Sequence, residues 1–218
     1  IVIMDWTFTE TGIVIDYDLN IIGEDNVKFT GSSASTLFTV SNGSDFSISN
    51  IAFEGLVFTA KDAGIIRQNS GFTVIDSCLF NDNYVSGLTG CVLIESKNIE
   101  VYNSNFTNNN KKYVMLIKSD DFLIDGCIFS NNIASYTSHY SLITTAGEKT
   151  GVKGEISDSI FESNTVKNGC IYFGASNAPL TITHTKFIAN KVGSNNDHSS
   201  CIKIETSPVL RIMSSVFM

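Results

Sequence analysis

The chain has 218 residues, with 22 Asp and Glu against 14 Lys and Arg, giving a net charge of -8. That balance excludes a nucleic-acid binder working through a basic face, and 43% apolar residues exclude a disordered chain. No apolar run nears the roughly 20 residues that span a bilayer, and Ile1-Val2-Ile3-Met4 shows no secretory leader. The absence of an initiator Met suggests a piece of a longer chain. Ser, Asn and Thr dominate the polar residues, beside abundant Ile, 15 Phe and only 2 Pro, which is a β-chain composition.

In chain order, the predicted elements are copies of one repeat, anchored at Phe8, Phe53, Phe80, Phe106, Phe129, Phe161, Phe187 and Phe217. Five residues before each anchor stands a β-branched residue: Ile3, Ile48, Ile75, Val101, Ile124, Ile156, Ile182 or Ile212. Seven before, Ile1, Phe46, Ile99, Phe122, Leu180 and Leu210 are large and apolar, with Thr73 and Gly154 as exceptions. The spacing of two predicts a strand with one buried face. Three before the anchor come Asp5, Asn50, Ser77, Asn103, Gly126, Asp158, His184 and Ser214, residue types that tolerate a sharp corner. Three after it, consecutive repeats carry Asn83, Asn109, Asn132, Asn164 and Asn190. A second strand follows at Leu37–Val40, Cys91–Ile94, Val114–Ile117, Cys170–Phe173 and Cys201–Ile204, with weaker copies around Ile65 and Ile143.

From Phe53 onward the intervals between anchors are 27, 26, 23, 32, 26 and 30, and the longer gap from Phe8 to Phe53 reads as two coils around Phe29. Leucine-rich repeats need Leu at fixed offsets, helical repeats need a 3.6 period, and propeller blades need about 40 residues. A parallel β-helix fits: an all-β, single-stranded solenoid of about nine coils of 23–32 residues, one domain over residues 1–218. Like residues then stack along the axis, Phe filling the bore and Asn amides bonding coil to coil at a corner. Phe80, Phe106, Phe129, Phe161 and Phe187, with the five Asn, are the predicted structural ladders.

The Phe-x-x-Asn unit, repeated from Phe80–Asn83 to Phe187–Asn190, resembles the repeats of polymorphic outer-membrane and adhesin-like proteins. Altered forms of their Gly-Gly-Ala-aliphatic motif stand at Gly90-Cys91-Val92-Leu93 and Gly169-Cys170-Ile171-Tyr172. The resemblance implies a right-handed β-helix of the pectin-lyase type, at a cell surface or outside the cell. Its implied role is adhesin-like binding or display toward a protein or glycan of a host or neighbouring surface.

The residues point to no catalytic site, cofactor or metal. The Asn-Thr-Asp, Gly-His-Gly and Arg-Ile-Lys signatures of polygalacturonases are missing, and the two arginines, Arg67 and Arg211, fall in distant coils. Mapped on the repeat, the acids scatter; the one adjacent pair in a repeat strand, Asp120-Asp121, has Lys97 and Lys118 as its nearest cations. His139, His184 and His198 show no metal spacing, and His184 reads as a corner residue. The chain is thus expected not to be an enzyme, with a carbohydrate-active β-helix as the alternative. The candidate ligand-binding residues are Tyr113, Tyr136, Asp197 and His198, and Tyr84 and Tyr140 are expected to be exposed as well. Five Cys cannot all pair; Cys78, Cys91 and Cys127 are expected as thiols in small inward sites, and Cys170 and Cys201 as stacked thiols on neighbouring coils.

Overall fold

In the computed structural model the described residues are 1–60, 62–68, 70–85, 90–94, 98–110, 113–118, 121–134, 141–145, 153–174, 179–193, 200–204 and 209–218. They form short parallel strands joined by corners, with no helix among them. A first sheet runs through nine strands from Val2–Met4 to Leu210–Met213, and a second through nine successive rungs from Thr7–Phe8 to Val216–Phe217. A third has eight strands, from Ile13–Ile15 to Ile202–Ile204. The nine rungs bear out a solenoid of nine coils.

Register shows why the pattern folds this way. Ile48, Ile75, Val101, Ile124, Ile156, Ile182 and Ile212 are successive partners on the first sheet, and all but Ile212 are buried. Gly154 breaks the large apolar column because Phe122 occupies its space: a Cβ there would lie 2.2 Å from the Phe122 ring. Ile3 departs from its expected column and pairs with Gly23, while Ile21 partners Ile48. The second coil is the cause, since it takes eight residues from Ile21 to Phe29 where the next takes five from Ile48 to Phe53.

On the second sheet nine Phe rings make one stack. Phe29 stacks between Phe8 and Phe53, so the long gap does hold two coils, the first shorter than any that follows. From Phe53 to Phe217 neighbouring ring centroids lie 4.7–4.9 Å apart. This is the rung spacing itself, so each ring is held face to face by the backbone ladder.

From Phe53 to Phe187 both corners around the Phe turn through left-handed backbone, whereas Asp5, in the corner column before Phe8, does not. Asn50, Ser77, Asn103, Gly126, Asp158, His184 and Ser214 have φ between +46° and +62°, as the corner column predicts. Two residues after the Phe, Asp82, Asn108, Asn131, Ser163 and Ala189 do the same; the glycines of that column, Gly31 and Gly55, were its sequence signal.

The Asn column closes this second corner. Each amide from Asn83 to Asn164 donates to the Oδ1 of the next, at 2.8–3.0 Å. Each also donates to a Phe carbonyl, as Asn132 does to Phe106 O at 2.8 Å. Its Oδ1 accepts a backbone N–H from the coil before, as Asn132 does from Asn109 at 2.9 Å. Asn83, Asn109, Asn132 and Asn164 are buried.

The five cysteines are free thiols. Burial pushes Cys78, Cys91 and Cys127 up to about 12. Cys170 and Cys201 lie on neighbouring coils, with Cys170 N–H donating to Cys201 O at 2.8 Å. The buried Cys170 thiol donates to the half-buried Cys201 sulfur, which pulls Cys201 down to about 7 and holds Cys170 well above the usual thiol range.

Two measurements test this packing. Phe129 is fully buried between Phe106 and Phe161, so Phe129→Ala should cost about 3–5 kcal/mol by urea denaturation. Asn132→Ala leaves the buried Asn109 N–H without its partner and takes one of the donors from Phe106 C=O, a loss of about 1–3 kcal/mol; an unchanged midpoint would remove the ladder's structural role. For the thiols, unfolding without reductant should release five. In the native protein Cys201 should react first, its rate rising as the thiolate forms through about pH 7. Cys170→Ala removes the donor, so that rise should move to higher pH.

Candidate functional site

With alternate residues turned into the bore, the others on each first-sheet strand face outward. In register, Phe72, Asn98, Asp121 and Lys153 form one outward column. Val74, Glu100, Leu123, Glu155, Thr181 and Arg211 form the next, and Asp76, Tyr102, Asp125, Ser157, Thr183 and Met213 the third. The first two columns, Val74 apart, line an open groove of about 430 Å³, with Pro179 at its side. A rigid ladder thereby sets charged side chains about 4.8 Å apart across the strands and about 7 Å apart along them.

The scatter of acids expected from the sequence does not hold on this face. Glu100, Asp121 and Glu155 line one groove, with Glu100 and Glu155 two rungs apart, about 10 Å at the usual strand spacing. The partner of Asp121 on the next rung is Lys153, not a lysine close in sequence, because the chain returns there one full coil later. Asp120 and Lys97 lie outside the described residues. Arg211 brings a second cation to the groove, far from Arg67 on the third sheet.

Beside the groove runs a polar network. Tyr102 donates its hydroxyl to Glu100 Oε2 at 2.8 Å. Desolvation, that hydrogen bond and the charges of Glu100, Asp125 and Asp76 push its phenol up to about 12, so it stays a donor throughout the neutral range. Asp125 accepts from Ser157 Oγ at 2.7 Å, and Asp76 from Ser77 Oγ at 3.1 Å and Asn103 Nδ2 at 3.2 Å. These bonds fix the carboxylates as oriented acceptors. Phe72 and Tyr102 add half-buried aromatic rings to the same outer face.

Of the sequence-derived binding candidates, Tyr113 is described; it opens the third-sheet strand Tyr113–Ile117 and is half-buried, away from the groove. Tyr84 is also half-buried rather than exposed, on a short strand that pairs with Val57 and Phe58. Tyr136, Tyr140, His139, Asp197 and His198 lie outside the described residues. His184 is an exposed corner residue, its Nδ1 3.9 Å from Asp158 Oδ1. Among the described residues no three His, Cys, Asp or Glu come together in a way that could hold a metal ion. The sequence pattern did not single out Phe72, Glu100, Tyr102 or Lys153, and Arg211 stood out only as an isolated cation. Their signal was parity: they stand an even number of residues before their anchors, opposite to the inward odd positions.

No curated protein and no solved structure matches this chain. The family model described as a right-handed β-helix region matches residues 36–208. This span covers most of the chain and agrees with the parallel coils and their stacked Phe and Asn ladders; the chain belongs to the right-handed β-helix family.

Proposed function

We propose that this chain is a non-catalytic scaffold of the cell surface with an adhesin-like role, binding a glycan of a host or neighbouring surface in the first-sheet groove. The observation that carries the reading is the groove's composition. Phe72 can underlie the apolar face of a sugar ring, while Asn98, Glu100, Asp121, Lys153 and Arg211 supply donors and acceptors of both signs along several rungs. The ladder residues face inward and have structural duties, which leaves this face to recognition. A rigid β-helix holds such a face flat and extended, the shape an extended polymer requires.

The convergence of three carboxylates favours a second reading, a polysaccharide hydrolase. Two rungs bring Glu100 and Glu155 near the separation of inverting carboxylate pairs, about 6.5–9.5 Å. Against it, a carboxyl pair divides into acid and base when one member is held away from water. Here Glu155 is exposed, and Glu100 and Asp121 are half-buried.

Affinity electrophoresis through pectate, alginate and chondroitin sulfate should show retardation by at least one polymer, and Arg211→Ala or Phe72→Ala should weaken it about tenfold. The same polymers should yield no new reducing ends and no unsaturated product absorbing at about 235 nm. Turnover abolished by Glu155→Gln would establish the hydrolase instead. Absence of retardation in every polymer, with binding to intact cells retained, would replace the glycan with a protein partner.

A further inference from the structure

The solenoid brings a single pair of cysteines onto adjacent rungs. Cys170 and Cys201 stand in register, each just before its third-sheet strand, Ile171–Phe173 and Ile202–Ile204. Cys78 and Cys127 are separated by the rung of Ser104, and Cys91 is separated from Cys170 by the rungs of Val114 and Leu142. Cys170 N–H and Ile171 N–H both donate to Cys201 O, at 2.8 and 3.1 Å. The Cys170 thiol donates to the Cys201 sulfur, so the two sulfurs are already in contact. Their Cα atoms, one rung apart at about 4.8 Å, lie within the span of roughly 4.4–6.8 Å that a disulfide bridges. Side by side on parallel rungs, the Cβ atoms keep nearly the same spacing, slightly beyond the relaxed range of about 3.5–4.5 Å. One strand must therefore shift by a fraction of an ångström. Among the described residues Ile202–Ile204 is the end strand of its sheet, with one neighbour, whereas Ile171–Phe173 is held on both sides. Cys201 is also the one cysteine that is not fully buried.

We propose that Cys201 is an oxidation site for peroxides and that Cys170 is its resolving thiol, the pair closing a disulfide between neighbouring third-sheet rungs. In the first step the Cys201 sulfur attacks one oxygen of hydrogen peroxide. An S–O bond forms, the O–O bond breaks, and the departing hydroxide takes up the thiol proton as water, leaving a sulfenic acid. In the second step the Cys170 sulfur attacks that sulfenic sulfur. An S–S bond forms, the S–O bond breaks, and hydroxide leaves with the Cys170 proton as a second water. Two thiols together lose two electrons, and the peroxide is reduced to water. The hydrogen bond between the sulfurs suits this division, because it favours negative charge on Cys201, the sulfur nearer to solvent. Cys78, Cys91 and Cys127 are buried and have no thiol on an adjacent rung, so they lack both conditions. The bridge ties two coils together across a long loop of chain, and should make local opening there rarer. It lies on a different sheet from the groove and stands whether or not the groove binds anything.

The test treats the folded, fully reduced chain with hydrogen peroxide, blocks the remaining thiols and maps tryptic peptides by mass. The peptides carrying Cys170 and Cys201 should be recovered joined, two hydrogens lighter than their sum, and should separate on reduction. Their joining should run about tenfold or more ahead of any change at Cys78, Cys91 or Cys127. Cys170→Ser keeps a hydroxyl donor beside Cys201 but cannot close the bridge, so Cys201 should then accumulate as a sulfenic acid that dimedone traps. Cys201→Ser should leave Cys170 as inert as the three buried thiols. Thermal melting checks that each variant is folded, and the joined peptides of the parent chain carry the test if a variant is not. The oxidised parent should melt at a higher temperature than the reduced one. Cys201 recovered in the parent as a sulfenic acid, or in a bridge between two chains, overturns the role of Cys170. Oxidation of all five cysteines at similar rates, or a Cys201 that peroxide leaves unchanged, overturns the proposal altogether.

Discussion

Each coil must turn a corner just after its Phe, inside the protein, where backbone groups have no water to bond. An unpaired buried amide or carbonyl costs about 1–3 kcal/mol, and a solenoid repeats that cost at every turn. The Asn amides of Asn83 to Asn190 meet it by bonding the backbone on the preceding coil and one another at once. Because each amide depends on the rung above or below, the corner cannot change in one coil alone. That fixed corner holds the Phe rings at the rung spacing and locks the second sheet in register from Phe53 to Phe217.

Coil length therefore varies elsewhere. The interval from Phe129 to Phe161 is well over a third longer than that from Phe106 to Phe129, yet Phe129 still pairs with Phe161 and Asn132 still bonds Asn164. From Phe53 onward, insertions fall between the second and third strands or between the third and the next first strand, leaving the two corners that flank Phe intact; only the second coil, with its longer path from Ile21 to Phe29, departs from this. The same constancy makes the first sheet a dependable face. Its outward positions are set by the inward ladder and are free to carry Glu100, Asp121, Lys153 and Arg211.

Departures from the repeat are compensated in place. Gly154 yields its volume to the ring of Phe122 on the previous coil. Cys78 and Cys127 alternate with Ser104 and Ser159 in a narrow inward column, where each hydroxyl accepts the backbone N–H of the cysteine before it. Thr73 is less well served, since its buried Oγ1 has no partner among the described residues. The stacked pair Cys170 and Cys201 differs from the other cysteines because one sulfur reaches partial exposure, and an asymmetric hydrogen bond then splits two identical groups in acidity.

Much of the architecture was legible in the chain itself. A ladder repeats one residue type at one offset, so Phe129, Asn132 and Ile124 announce their columns through local sequence, and the left-handed corner at Asn50, Ser77 and Asn103 follows from residues that tolerate it. Even the inward thiols could be placed by column. The groove could not, because it joins residues by adjacency between coils whose lengths differ. Asp121 and Lys153 are separated by a whole coil, and Glu100 and Glu155 by two, so no spacing along the chain marks them as lining one groove. The sequence by itself determined the repeat and its inward ladders, because each rung obeys the same local rule. Only the tertiary structure decided which outward side chains meet, because register across coils, not order along the chain, sets their distance.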